Sequence, residues 1–253
     1  MNNRQILNLA TSLAVGSIIV VIGCSKTLPN SPMPTATLTP AKILETSAKK
    51  MAALESLSFK LTHESGGTPL MDGVLIKNII GNVILNEAFD IQIDAEALGI
   101  TALKLEYLAT DGRVYMTEPI SRKWREISFQ DTPFDFTNLG DTLAQILRDI
   151  NLPKQNVDQA PKDKSNLQLD ITIEYVNIQN LIPIESDDLK VNLEIVIRRD
   201  DFVLTEARIL GPVASTDPKE IVRLLRFYNF NEPMEITAPV SYTHLTLPTI
   251  LLV

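Results

Sequence analysis

Few side chains in this sequence have the type and setting to do chemistry, and a single thiol leads them. Cys24 is the only cysteine in 253 residues. It closes the stretch Val21-Ile22-Gly23-Cys24: two aliphatic residues, a small one, then Cys. That is the form of a bacterial lipobox. A thiol there can take up a diacylglyceryl group as a thioether, and Gly23 leaves a signal peptidase room to cut just ahead of it. The preceding residues match, with a short polar start carrying Arg4 and an apolar run from Ile6 to Ile22. Export signals have this order of charged, apolar and cleavage regions.

Two other readings compete. The run could be an uncleaved transmembrane helix, but Asn8, Thr11, Ser12 and Ser17 break it. It also falls short of the ~20 mostly apolar residues that span a bilayer comfortably. Alternatively, Cys24 could be an ordinary residue beside a conventional signal peptide. The lipobox reading predicts a mature chain beginning at Cys24, on the extracytoplasmic face of the plasma membrane. At least two acyl chains would hold it in the cell envelope, each buried methylene contributing about 0.8 kcal/mol.

Catalytic groups are scarce. His63 alternates with Phe59 and Leu61 as a strand residue would, with no triad setting around it. There is no GxSxG, HExxH or CxxC pattern and no glycine loop that would cradle a phosphate. Asp187-Asp188 and Asp200-Asp201 lack the ligand spacing of a calcium loop and read as turns. The sequence therefore predicts no catalysis, no metal and no cofactor.

The elements that must position everything else are read from the pattern. With a net charge of -8, nucleic acid is excluded as a partner, as is a polybasic contact with a membrane. One cysteine leaves no disulfides, so stability must come from apolar burial and strand pairing. Residues 24–39 carry Pro29, Pro32 and Pro34 among Ser, Thr and Asn, and read as an extended tether. Thr39-Pro40 is an N-cap followed by proline in the first turn. Ile43, Leu44, Ser47, Ala48, Met51 and Leu54 then share one face of a helix predicted over 40–56.

The period then switches to two. Phe59 and Leu61 open a strand, and a run from Leu70 to Leu85 follows, with bulges or bends expected at Gly73 and Gly81. Phe89 to Ala97 and Leu103 to Tyr107 alternate, Asp111-Gly112 signals a tight hairpin, and Val114 to Thr117 returns. Trp124 to Asn151 has a helical pattern, with Leu139, Leu143, Ile146, Leu147 and Ile150 on one face. A polar loop covers 151–166. Leu167 to Tyr175, Leu189 to Ile197 and Phe202 to Leu210 alternate again, which predicts antiparallel strands with one apolar face. The stretch Asp217 to Phe230 suits either helix or strand, and Glu235-Ile236-Thr237 reads as strand.

From Val240 onward, Val-Ser-Tyr-Thr-His-Leu matches a translated sequencing-adapter end. Residues 240–253 are therefore expected to be non-native and are set aside, which leaves His63 as the only native histidine. The competing reading is a genuine apolar tail, and sequencing the native locus across Pro239 decides between them.

The order of these features resembles the LppX/LprA/LprF/LprG-type envelope lipoproteins. The likeness runs from the Cys24 lipobox and tether through one helix to a strand run. It continues with the Asp111-Gly112-Arg113-Val114-Tyr115-Met116 hairpin, the Lys123-Trp124-Arg125 step, a leucine-rich helix and Asn180-Leu181-Ile182-Pro183. It closes with Val222 to Pro233 and Ile236-Thr237-Ala238-Pro239. It covers roughly residues 18–239 and favours strand for the 220–230 stretch.

What the resemblance implies is an α+β domain over 40–239, behind a signal peptide at 1–23 and the 24–39 tether. The implied domain is a strongly curved antiparallel sheet, a half-barrel, with helices across its concave side enclosing an apolar cavity. Such a protein would bind the acyl chains of an envelope lipid or glycolipid, and carry it or present it, for instance to a membrane transporter. No fixed polar signature of that family maps onto this chain. Alternation alone nominates the walls: Phe89, Ile91, Ile93, Leu103, Leu105, Leu169, Ile171, Ile173, Leu193 and Ile195. Leu44, Met51, Leu143 and Leu147 would cap them. The alternative is an envelope scaffold whose apolar face is plain packed core.

Overall fold

The computed structural model describes residues 39–71, 73–97, 100–132, 135–150, 165–174, 190–213 and 217–239. All fall in one compact unit, Leu38–Val253. The signal sequence, Cys24, the tether to residue 38, the polar segment 151–164, Asn180 to Pro183, Asp187-Asp188 and the tail from Val240 lie outside the described residues.

Helix α1 (Pro40–Ala52) starts where its cap predicts, with the Thr39 hydroxyl accepting from the Lys42 amide at 3.3 Å. It ends four residues sooner than its apolar periodicity suggests. The backbone beyond is claimed elsewhere: Glu55 donates to the Asn231 side chain at 2.8 Å and its carbonyl accepts from Leu85 at 2.9 Å.

Eleven strands follow among the described residues: β1 (Ser56–Ser65), β2 (Thr68–Met71), β3 (Val74–Ile84), β4 (Ala88–Ala97), β5 (Ile100–Thr110), β6 (Arg113–Thr117) and β7 (Trp124–Ile127), then β8 (Asn166–Glu174), β9 (Lys190–Arg198), β10 (Leu204–Leu210) and β11 (Val222–Tyr228). Helix α2 (Leu139–Asp149) lies between β7 and β8 in the chain. Every pairing is antiparallel, in the order β7-β6-β5-β4-β3-β1-β11-β10-β9-β8, with β2 added beside β3. The chain thus makes two meanders: the first walks outward from β1 to the edge strand β7, and the second starts at the opposite edge with β8 and returns inward to β11. They meet where β1 pairs with β11, aligning Phe59 with Phe227 and Leu61 with Leu225. The end strands β7 and β8 consequently lie at opposite edges. Among the described residues the sheet is open and not strongly curled, so the half-barrel expectation is corrected to an open sheet with two helices.

Other differences are local. Trp124–Ile127 is an edge strand and Phe129–Asp131 a short 3-10 turn, where the pattern suggested helix from Trp124. Gly73 has φ +74° and turns the β2–β3 hairpin. Gly81 sits in regular register between Phe59 and Ile91, with no bulge; the bulge of β3 falls between Ile76 and Asn78. Asp111 and Gly112 both have positive φ, as a type I′ hairpin requires. Residues 222–228 form a strand. Ile236 forms no strand and packs on Ala88 and Leu108, on the sheet face opposite Phe89 and Ala109.

The main core lies on the other face. Ile43, Leu44, Ala48 and Met51 of α1 and Leu139, Leu143, Ala144, Ile146 and Leu147 of α2 bury themselves in one cluster with the inward residues of the sheet. Phe136, just ahead of α2, packs tilted against Phe59 and edge-to-face with Phe89, with ring centroids 4.9 and 5.8 Å away. Gly140 brings α2 close to α1, since a Cβ there would stand 2.9 Å from the Met51 carbonyl.

Candidate functional site

Alternation, shifted by a bulge in β10, turns one side of β9, β10 and β11 toward α2. Leu143, Ile146 and Leu147 of α2 face Leu193 and Ile195 of β9, Leu204, Ala207 and Ile209 of β10, and Leu225 and Phe227 of β11. These side chains do not quite meet. They leave a gap of about 20 Å³, bordered by hydrocarbon alone. A water occupies about 30 Å³ of liquid but needs only about 10–15 Å³ for its centre to move in. The gap is therefore one small guest wide, and nothing in its walls can hydrogen-bond that guest.

Of the residues nominated from alternation, Leu143, Leu147, Leu193 and Ile195 border this gap. Leu44, Met51, Phe89, Ile91, Ile93, Leu105, Leu169 and Ile171 are buried in the same core. Leu103 is only partly buried against it. The backbone of Ile173 is in β8, and its side chain lies outside the described residues. Sequence reasoning passed over Ile146 as a lining residue, and Leu204, Ala207, Ile209, Leu225 and Phe227 as well. Their spacing of two to three residues along β10 and β11 carried the signal, but β11 was ambiguous between helix and strand.

A second feature was missed altogether. At one end of the same sheet face, Arg223 stands opposite His63 in register, and both are on the apolar phase of their strands. Neither Arg223 nor Asp217 exposes any side-chain surface, and they form an ion pair. Nη2 of Arg223 donates to both carboxylate oxygens at 2.8 Å each, and the Val213 amide donates to the same carboxylate at 2.9 Å. Nε of Arg223 donates to the Thr68 hydroxyl at 2.8 Å. His63 reaches that hydroxyl with Nε2 and the Lys77 carbonyl with Nδ1, both at 2.8 Å.

The carbonyl can only accept, so Nδ1 carries the proton and Thr68 donates to Nε2. Burial, the largest influence, pushes the His63 pKa down; the Lys77 carbonyl opposes this, and the charges of Arg223 and Lys77 reinforce it. Thr68 and His63 have the separation of a nucleophile and its base. The hydroxyl is nevertheless buried and already bonded on two sides, and the relay ends on a backbone carbonyl. It is a structural network. Asp201 is likewise tied up, paired with Arg198 across the β9–β10 turn.

An open antiparallel sheet carrying two helices over one apolar face defines the class of fold. No family model and no curated protein matches the sequence. Among solved structures the chain is similar to LprF from Mycobacterium bovis. The TM-score is 0.60 at 14% identity, over 80% of this chain and 97% of that one. It is also similar to the Mycobacterium tuberculosis lipoprotein LppX, with a TM-score of 0.51 at 13% identity, over 78% and 98%. At these identities the likeness is one of fold, and it is to the lipoproteins that the order of sequence features resembles.

Proposed function

We propose that this protein is an envelope lipoprotein, anchored through acylated Cys24, that holds acyl chains of a lipid between α2 and strands β9–β11. The observation that carries the reading is the purely hydrocarbon gap beneath α2. Acyl chains need dispersion contacts and no directed hydrogen bonds, and such walls offer only the former. The shared fold with LppX, itself a lipoprotein, supports it, as does the lipobox. Among the described residues no helix is long and apolar enough to cross a membrane, so attachment falls to Cys24 in this reading.

Drug-sized ligands occupy pockets of about 300–1,000 Å³, far more than the present gap. Loading therefore requires α2 to move away from the sheet, with the acyl chain replacing the contacts it gives up. The size of the gap favours the second reading, a scaffold lipoprotein with a packed core and no ligand. Transfer of a pyrene-labelled phospholipid from vesicles separates the two. The carrier reading expects uptake by the wild type and its loss in Ala207→Leu, whose added side chain fills the gap. Unchanged uptake by a folded Ala207→Leu would place the lipid elsewhere, and no uptake by the wild type would favour the scaffold.

A further inference from the structure

Phe227 and Leu225 border the apolar gap, and Arg223 is the next inward residue of β11, about 7 Å further along the strand. Two of its guanidinium nitrogens are spoken for, Nη2 by Asp217 and Nε by Thr68. The third, Nη1, is fully buried and has no hydrogen-bond partner among the described residues. A buried donor without an acceptor bears its full desolvation cost, more so on a charged group. Arg223 thus stands one inward position past a hydrocarbon-lined space, on the same face of the sheet.

The surroundings select the kind of acceptor. Asp217 already neutralises Arg223, and Lys77 pairs with Glu96 at 3.0 Å. Arg223 therefore keeps a strong unpartnered donor in surroundings of little net positive charge. An incoming carboxylate or phosphate would lose its hydration and face the Asp217 carboxylate; a neutral oxygen would meet only the donor. We propose that Arg223 Nη1 donates to the ester carbonyl oxygen at the head of an acyl chain lodged under α2, so that the ligand is a neutral acyl ester. This rests on the acyl-chain reading above and adds the recognition of the chain's polar end.

Equilibrium partition from cyclodextrin onto the purified, delipidated protein tests it, with tridecane, methyl laurate and laurate as probes. Methyl laurate should bind at least ~10-fold tighter than the other two, the advantage of a hydrogen bond to a charged donor. The double variant Arg223→Gln/Asp217→Asn removes both buried charges together. It should lose that preference while binding tridecane as before. Should the variant fail to fold, the carbonyl stretch of ¹³C-labelled methyl laurate on the wild type decides: it should fall below its position in hydrocarbon solution. Equal binding of ester and alkane, tightest binding of laurate, or an unshifted carbonyl would each overturn the assignment and leave the acyl-chain reading standing. If not even tridecane binds, the acyl-chain reading fails and this inference fails with it.

Discussion

Arg223 and Asp217 face each other with no solvent exposure on either side chain, Nη2 lying 2.8 Å from both carboxylate oxygens. Arg223 stands on the apolar face of the sheet, two positions from Leu225 and four from Phe227, the residues that β11 gives to the core. A buried pair contributes little net stability over a packed apolar substitute, yet removing one partner strands the other. Asp217→Ala should therefore cost about 3–5 kcal/mol. The urea midpoint measures it, with an unchanged slope showing that the denatured state is unaltered. Arg223→Gln/Asp217→Asn should lose clearly less than Asp217→Ala alone.

His63 gives the fold a pH dependence whose sign follows from its lowered pKa. The unfolded chain takes up a proton near the ordinary value of 6.5, while the folded chain still refuses it. Stability contributed by His63 is thus complete above that pH. It falls as the pH drops through 6.5 and stops falling below the folded-state value. Denaturation at pH 7.5 and 5.5 should show a loss in the wild type that is smaller in His63→Gln, the difference isolating the histidine from the carboxylates.

Gly81 is held to glycine by its neighbours rather than by its backbone. A Cβ there would lie 2.5 Å from Cε1 of Phe59 and 2.8 Å from Cγ2 of Ile91. Gly81→Ala should destabilise the protein by about 1–3 kcal/mol, as overpacking generally does. Adding Phe59→Leu should then cost less than it does in the wild type, a coupling that a double-mutant cycle in urea reads directly.

Thr39 should be worth about 1 kcal/mol to α1. Its hydroxyl accepts the Lys42 amide, and proline in the first turn already fixes the chain ahead of it. Thr39→Ala should lower the thermal midpoint by a few degrees, and Thr39→Asp should recover most of the loss.

How far the fold could be read from the chain varied with how local its causes are. Period-two alternation placed Phe89, Ile91 and Ile93 on one face of β4, and Leu193 and Ile195 on one face of β9, because each depends only on near neighbours. Thr39-Pro40 and Asp111-Gly112 worked for the same reason. Trp124–Ile127 failed because four residues are too few to show a period, and the strand exists through its pairing with Arg113–Thr117.

Gly81 read as a bulge because a glycine in a strand looks alike whether the backbone bends or a ring from β1 fills the space. The buried Arg223 was hidden by its type. An arginine between Val222 and Leu224 reads as a solvated position until Asp217, Thr68 and His63 are brought together around it. The width of the interior was invisible too, since alternation shows which faces are apolar and not how closely they meet.

The central claim is that hydrocarbon occupies the space under α2 in the working protein. Organic extraction of the purified protein, followed by mass spectrometry of the extract, tests it most directly. The account predicts a neutral acyl ester in stoichiometric amounts from the wild type, sharply depleted in folded Ala207→Leu. A wild-type extract free of acyl lipid, from protein purified without detergent, would contradict it.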